Sequence, residues 1–340
     1  LHSKIAGFDP ARIGVSDYNV RYFREDQVIL KRVLRKRTYI LYLAFADSPA
    51  PIEEEVLLDH GGGYGLLSLL ARQMGVAKVL YSDIYDGSTT DAELLANYLG
   101  LEADSYLTGA MEDLARPIEN SGLKLSSIVS NNVIEHVYSP EDLMVSVSEL
   151  PFMDHQTVVM ASTVNSFNPV IVRRHLQVQR RFEYEDRPVT FGHKPIDSTR
   201  SFLAVRRDMI KTYSPELNKD EIEELAVRTR GLKIDDIHRV LEEYRSTHRY
   251  PDPPDHPTNT CDPHTGNWAE HLMDLDHLKT LLGNQGYRAR ILPGFFSREG
   301  SGPKGTLARI LNRLMPLNNR VALRIAPFFI LYGVRGPTPG

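Results

Sequence analysis

The sequence predicts an α/β fold built on a mostly parallel sheet of seven strands, and three observations predict it. Short apolar runs at residues 56–58, 79–82, 105–108, 126–130, 157–161, 287–292 and 328–333 have strand length and end in turn residues. Segments of helical period separate the first five of them. A glycine-rich turn, Gly61-Gly62-Gly63-Tyr64-Gly65, joins the first strand to the helix after it. Strands alternating with helices in this way need a parallel sheet, right-handed crossovers and helices on both faces.

The elements follow in order. Residues 1–52 read as a helical leader, because Val28, Ile29, Val33, Leu34 and Ile40 recur among charges at roughly helical spacing. Its charge run, Lys31, Arg32, Arg35, Lys36 and Arg37, reads as a solvated helix face. Ser48-Pro49-Ala50-Pro51 breaks the helix, since proline lacks an N–H and disfavours helix before it. Residues 53–165 carry the alternating pattern: helices at 66–74 and 91–99, the second closed by Gly100, and a helix opened by the cap Ser139 and first-turn Pro140. Residues 166–255 interrupt it with helices alone. One runs from the cap Asn218 through Asp220 and Glu221 to Arg228, Arg230 and Gly231, and another covers about 235–244. Residues 256–340 complete the sheet after a loop at 251–268 and a helix at 275–282, with a basic amphipathic insertion at about 302–324.

Composition bounds the partners. The hydrophobic share of 41% and charged share of 25% are those of an ordinary globular chain. A formal charge of −4 argues against wholesale nucleic-acid binding, which needs a positive field, so no nucleic-acid partner is expected. The single cysteine, Cys261, cannot form an intramolecular disulfide, and a cytoplasmic location is expected. The apolar run 39–46 is too short to span a bilayer and lacks a signal-peptide pattern.

The turn after Asp59 tolerates close ligand approach, and the helix start behind it offers free N–H groups, which suits a nucleotide. A dinucleotide fingerprint wants a third glycine at position 66 or 68, where Leu66 and Ser68 stand. The spacing Asp59, Gly61, Gly63, Gly65 instead resembles the first motif of class I (Rossmann-like) S-adenosylmethionine-dependent methyltransferases. Asp83 at the end of the second strand, Gly109-Ala110-Met111-Glu112-Asp113 after the third, and residues 126–137 with their Glu135-His136 pair are similar to later segments of that family. The resemblance covers roughly residues 53–165 and the elements after 272. It implies a Rossmann-like sheet with an antiparallel last strand and S-adenosyl-L-methionine as cofactor. The cofactor would be held by Asp59, Gly61, Gly63, Gly65, Asp83, Ile84, Met111, Glu112 and Asn131, with Asp83 on the ribose hydroxyls. Ala110 departs from the Asp often found there for the adenine amine, leaving Glu112 or a backbone carbonyl. Ser127 also replaces a favoured Asp.

For the acceptor, His136 with Glu135 is the first candidate for proton handling, against a purely structural reading of the pair. Some ubiquinone-biosynthesis O-methyltransferases with a similar E-V-I-E-H segment use it around a divalent cation. Asn132 replaces the first carboxylate here, so no metal is expected. The loop from His256 to Trp268 supplies Asp262 and His264 as further catalytic candidates, and its C-x-x-H spacing at Cys261 and His264 is a weak zinc signal. The insert 166–255 reads as a lid over the acceptor, with Arg173, Arg174, Arg180, Arg181, Arg206 and Arg207 as anion grips or solvated faces. Leu307, Ile310, Leu311, Leu314 and Met315, beside Arg309, Arg313, Arg320 and Arg324, suit a sheet edge or partner subunit better than peripheral membrane contact. The expected activity is methylation of a small hydroxylated acceptor, with a sugar or its nucleotide- or lipid-linked form as the favoured class. The alternative is a catalytically silent cofactor-binding scaffold; oligomeric state is left open.

Overall fold

Two stretches of leader helix open the chain after a short α1 (His2–Ile5): α2 (Asp17–Val28) and α3 (Leu30–Phe45). The single helix expected over 20–43 breaks at Ile29, whose φ of −122° leaves helical geometry, so each half turns its own apolar face inward. A computed structural model describes residues 1–297, 302–315 and 318–336. The alternation then runs β1 (Val56–His60), α4 (Leu66–Met74), β2 (Lys78–Asp83), α5 (Asp86–Leu99), β3 (Ser105–Thr108), α6 (Ala115–Asn120), β4 (Leu125–Asn131), α7 (Pro140–Glu149) and β5 (Phe152–Ser162). Helices α8 (Pro169–Tyr184), α9 (Phe202–Tyr213), α10 (Lys219–Arg228) and α11 (Ile234–Thr247) form the insert. Then come α12 (Leu275–Asn284), β6 (Arg288–Pro293), α13 (Pro303–Leu314), α14 (Asn319–Ile325) and β7 (Phe329–Arg335).

The seven strands form one sheet in the order β3-β2-β1-β4-β5-β7-β6. β1 pairs parallel with β2 and β4, β2 with β3, and β4 with β5, while β7 runs antiparallel to both β5 and β6. This is the sheet the resemblance implies. β5 is longer than residues 157–161 because its ladder to β7 extends from Ser162–Phe329 back to Gln156–Arg335. α5 starts five residues before the expected 91, although Gly87, Ser88, Thr89 and Thr90 are weak helix formers. Buried packing of Ser88, Thr89 and Asp91 overrides propensity there. Asp91 accepts hydrogen bonds from the Ser16 amide at 2.9 Å and Asn19 Nδ2 at 2.8 Å, tying the leader to α5.

The chain divides into two units. The first is Leu1–Ile134, Ser139–Asn168 and Asp274–Gly340. One layer of its core joins Ile40, Leu41 and Ala44 of α3 and Leu67 and Ala71 of α4 to strand residues Leu57, Val79, Val129 and Val159. A second joins Phe23, Leu30 and Val33 to Leu69, Leu95 and Leu99. Each fully buried Leu or Ile contributes about 1.5–3 kcal/mol, so the leader is part of the core. The solvated-face reading of its charge run holds for Lys31, Arg32 and Arg35, which are exposed, and fails at Lys36 and Arg37. Lys36 Nζ donates to Asn132 Oδ1 at 3.2 Å and sits 4.9 Å from the Phe328 ring, and Arg37 pairs with Asp26 at 3.1 Å.

The second unit is Glu135–Tyr138 with Pro169–Met273, so the 251–268 loop goes with the helices. Leu203, Ile210, Leu225, Ile237, Leu241 and Tyr244 make its core. The predicted cap of α10 is present: Asn218 Oδ1 accepts the Asp220 and Glu221 amides at 2.9 and 3.0 Å, and Glu221 Oε2 accepts the Asn218 amide at 2.9 Å.

In the basic insertion Leu307 and Ile310 are exposed and Met315 is buried; residues 316 and 317 and the Leu314 side chain lie outside the described residues. No helix among the described residues is long and apolar enough to cross a membrane.

Candidate active site

β1 delivers Asp59 to the edge of the sheet, and the chain must then reverse into α4 within five residues. Gly61, Gly63 and Gly65 take φ of +66°, +56° and +83°, a region costly for side chains. Close packing adds a second demand. A Cβ at Gly61 would overlap Val133, and one at Gly62 would overlap the Tyr81 ring and approach Asp59 Oδ2. Gly62 was not singled out by spacing, because only the neighbouring Tyr81 makes it necessary. The Gly61 and Gly62 amides donate to Ser82 O at 2.8 and 3.1 Å, which fixes the bend on β2.

Asp59 is fully buried. Its Oδ2 accepts the Ser68 amide at 3.0 Å and the Ser68 hydroxyl at 2.8 Å, while Oδ1 has no partner among the described residues. Burial raises its pKa to about 6, against the lowering effect of the Ser68 bonds and the Arg37 charge. Asn131, ending β4, also has a buried Oδ1 with no partner. Both residues line a cavity of about 30 Å³ with Arg37, Gly61, Gly62 and Leu67. Two unmatched acceptors on one small cavity call for a donor, and best a cationic one. Arg37, with its side chain only 14% exposed, adds a positive group that can meet a carboxylate. The sequence reading put Arg37 on a solvated face, because nothing in the spacing of the run sets it apart from its neighbours; the fold turns it and Lys36 partly inward.

Asp83 ends β2 with each oxygen oriented by an amide: Gly63 N donates to Oδ2 at 3.0 Å and Tyr85 N to Oδ1 at 2.9 Å. A carboxylate at a strand end is a group that can accept from both hydroxyls of a diol. Ile84 beside it is 66% exposed, a free apolar surface. Met111 is buried and Glu112 exposed in the short turn after β3. The Ala110 amide donates to Asp113 Oδ2 at 2.9 Å, so Asp113 stabilises that turn.

Glu135 and His136 belong to the second unit, where residues 268–271 clamp them. His136 Nδ1 donates to Trp268 O at 2.9 Å, Trp268 N to His136 O at 3.3 Å, and His271 N to Glu135 O at 3.1 Å. The Trp268 ring stacks on His271 at 4.1 Å. Ligand atoms of Glu135, His136 and Glu270 lie within 4.8 Å of one another. Sequence reasoning missed Glu270, which no spacing links to the Glu-His pair.

The two other catalytic candidates stand together at one turn of the loop. Asp262 is buried, and its oxygens accept the Ser198 and His264 amides, each at 2.9 Å; the carboxylate holds a turn. His264 faces solvent at that turn. Cys261 is buried, burial pushes its thiol up to about 12, and no cluster of metal-capable side chains among the described residues includes it. Of the insert's arginines, Arg206 is neither solvated nor an anion grip. It is fully buried, paired with Glu183, and donates to Ala226 O at 2.9 Å.

A roomier cavity, about 970 Å³, is lined by Tyr39, Tyr42, Leu292, Phe295 and Met315 among others, and carries no acid or base beyond Arg35. We assign the chemistry to the smaller one, where charged and unmatched atoms converge.

No family model and no curated protein matches the chain. Among solved structures, a geranyl diphosphate methyltransferase in complex with GPP and sinefungin is 16% identical over 36% of this chain and 44% of that one, with a TM-score of 0.29. The YcgJ protein from Bacillus subtilis is 17% identical over 43% and 59%, with a TM-score of 0.33. The chain thus spans about half the length of these two. A SAM-dependent methyltransferase from Archaeoglobus fulgidus is 14% identical over 92% of this chain and 99% of that one, with a TM-score of 0.39. At these identities and scores the fold assignment stands on the chain's own strand order.

Proposed function

We propose that this chain is an S-adenosylmethionine-dependent methyltransferase acting on a hydroxylated small molecule. The observation that carries the reading is the pair of buried, unmatched oxygens, Asp59 Oδ1 and Asn131 Oδ1, on one cavity beside Arg37. An α-amino acid end supplies what they lack: an ammonium for the two oxygens and a carboxylate for the guanidinium. Asp83, pre-oriented by two amides, has acceptor capacity for both ribose hydroxyls, and the exposed Ile84 and buried Met111 suit the faces of a purine.

The cofactor, when bound, supplies a methyl group on a positively charged sulfur. The protein then has to hold the amino-acid end and the ribose, align the acceptor oxygen behind the methyl carbon, and remove one proton. The new O–C bond forms as the C–S bond breaks, and sulfur keeps the bonding pair. In this reading His136 takes the hydroxyl proton. Its Nδ1–H is committed to Trp268 O, so Nε2 is the basic nitrogen, with Glu135 next to it in the chain. A sugar, free or nucleotide- or lipid-linked, remains the acceptor class we favour, and a cytoplasmic location rests on the lone buried thiol of Cys261.

Calorimetry with S-adenosylhomocysteine tests the cofactor: saturable binding is expected, and none on folded protein would sink the reading. Labelled-methyl transfer across sugars, quinols and amines tests the acceptor, where transfer only to amines or macromolecules overturns the hydroxyl proposal.

A further inference from the structure

The cluster at Glu135, His136 and Glu270 lies wholly within the second unit and is not used by the cofactor cradle. Its three ligand atoms fall within 4.8 Å of one another. Donors so spaced reach one ion at roughly 2.0–2.3 Å after shifts of a few tenths of an ångström. The histidine is prepared as metal ligands usually are. A carbonyl only accepts, so the 2.9 Å contact to Trp268 O makes Nδ1 the protonated nitrogen and leaves the Nε2 lone pair outward. Glu270 is held in place by its backbone. It takes a φ of +60°, rare for a side-chain-bearing residue, and Gln179 Nε2 donates to its carbonyl at 2.7 Å.

Charge points the same way. Glu135 is 1% exposed, so a divalent cation here would sit against a buried carboxylate as well as the partly exposed Glu270. His175, 8% exposed, stands on α8 with Nδ1 3.9 Å from Glu270 Oε2 and no hydrogen-bond partner for that nitrogen.

We infer that Glu135, His136 and Glu270, with His175 beside them, form a binding site for one divalent first-row cation. Two carboxylates with imidazole and no thiolate favour Mn²⁺, Fe²⁺ or Zn²⁺ over a soft metal. This reverses the sequence expectation of no metal. That expectation rested on Asn132 replacing a carboxylate, and the loop supplies one instead through Glu270. An ion bound to His136 Nε2 would take up the lone pair that acts as base in the function proposed above, so the ion and not the imidazole would then activate an acceptor hydroxyl; the binding itself does not rest on that function.

The test is titration of the full chain with Mn²⁺, without cofactor, followed by loss of the free-ion paramagnetic resonance signal. One ion per chain is expected, with at least tenfold weaker binding in Glu270→Gln and His136→Gln. Glu270 is partly exposed, so Glu270→Gln keeps the test sound if a variant at the more buried Glu135 fails to fold. No saturable binding, or equal affinity in the wild type and Glu270→Gln, overturns the site. S-adenosylhomocysteine affinity measured on the same samples reports separately on the cofactor reading.

Discussion

Asp59 in the first unit and Glu183 in the second are both buried carboxylates, at 0% and 3% exposure, and they serve opposite ends. Glu183 is saturated. Arg206 pairs with both of its oxygens, and the Thr260 hydroxyl donates to Oε2 at 2.7 Å. Asp59 has donors on Oδ2 alone, and burial lifts its pKa to about 6. A saturated buried charge holds helices together; one left with an open lone pair stores a demand that a ligand can meet. Burial of charge does not by itself mark a candidate ligand site; an open lone pair on a cavity adds a reason to look there.

The largest effect should come from breaking the saturated pair. Arg206→Ala leaves Glu183 buried without its cation, and a loss of about 3–5 kcal/mol is expected in denaturant unfolding. Hydrogen exchange should localise the loss to the second unit. If stability holds and S-adenosylhomocysteine affinity falls instead, the contrast is wrong.

Asp59→Asn should move two quantities in opposite directions. Losing the carboxylate that faces an ammonium should weaken S-adenosylhomocysteine binding about 10–100-fold, the scale of a charged hydrogen bond. The free protein should gain stability near pH 7.5, by at most about 3 kcal/mol for a shift of about two pKa units. The sign follows from the raised pKa. The folded chain holds this proton more tightly than the unfolded one, so the stabilising contribution is present below pH 3.8 and lost as pH rises through about 6. The variant's advantage should therefore vanish in melts below about pH 4. A variant less stable than wild type at pH 7.5 would show that Asp59 is structural, like Glu183.

Arg37→Met should cost about fivefold in S-adenosylhomocysteine affinity, near 1 kcal/mol, since its group is partly screened and shared with Asp26. Unchanged affinity would remove Arg37 from the cradle. Asn218→Ala, which deletes the α10 cap, should cost about 0.5–1 kcal/mol in second-unit stability and leave ligand affinity alone.

Much of the local structure was legible in both units. Strand runs, the Asn218 cap and the glycine bend depend on local period and backbone freedom, and β3 fell where its residues indicated. That Asp59 and Asp83 stand near the ends of their strands was legible too, and strand ends in a parallel sheet converge on one edge. Arg37, Glu270, and the anchoring role of Asp262 were not. Each depends on a partner supplied by a distant segment: the cavity around Asp59, the His136 pair, and the amide of Ser198.

By itself, then, the sequence determined which elements form, in what order, and that a bend without side chains follows Asp59, because hydrophobic period and φ preference belong to each stretch of chain. Only the tertiary structure decided which buried carboxylate is satisfied and which stays open, and which glutamate joins His136. Hydrogen-bond saturation is fixed by the neighbours that folding delivers, and those come from segments far apart along the chain.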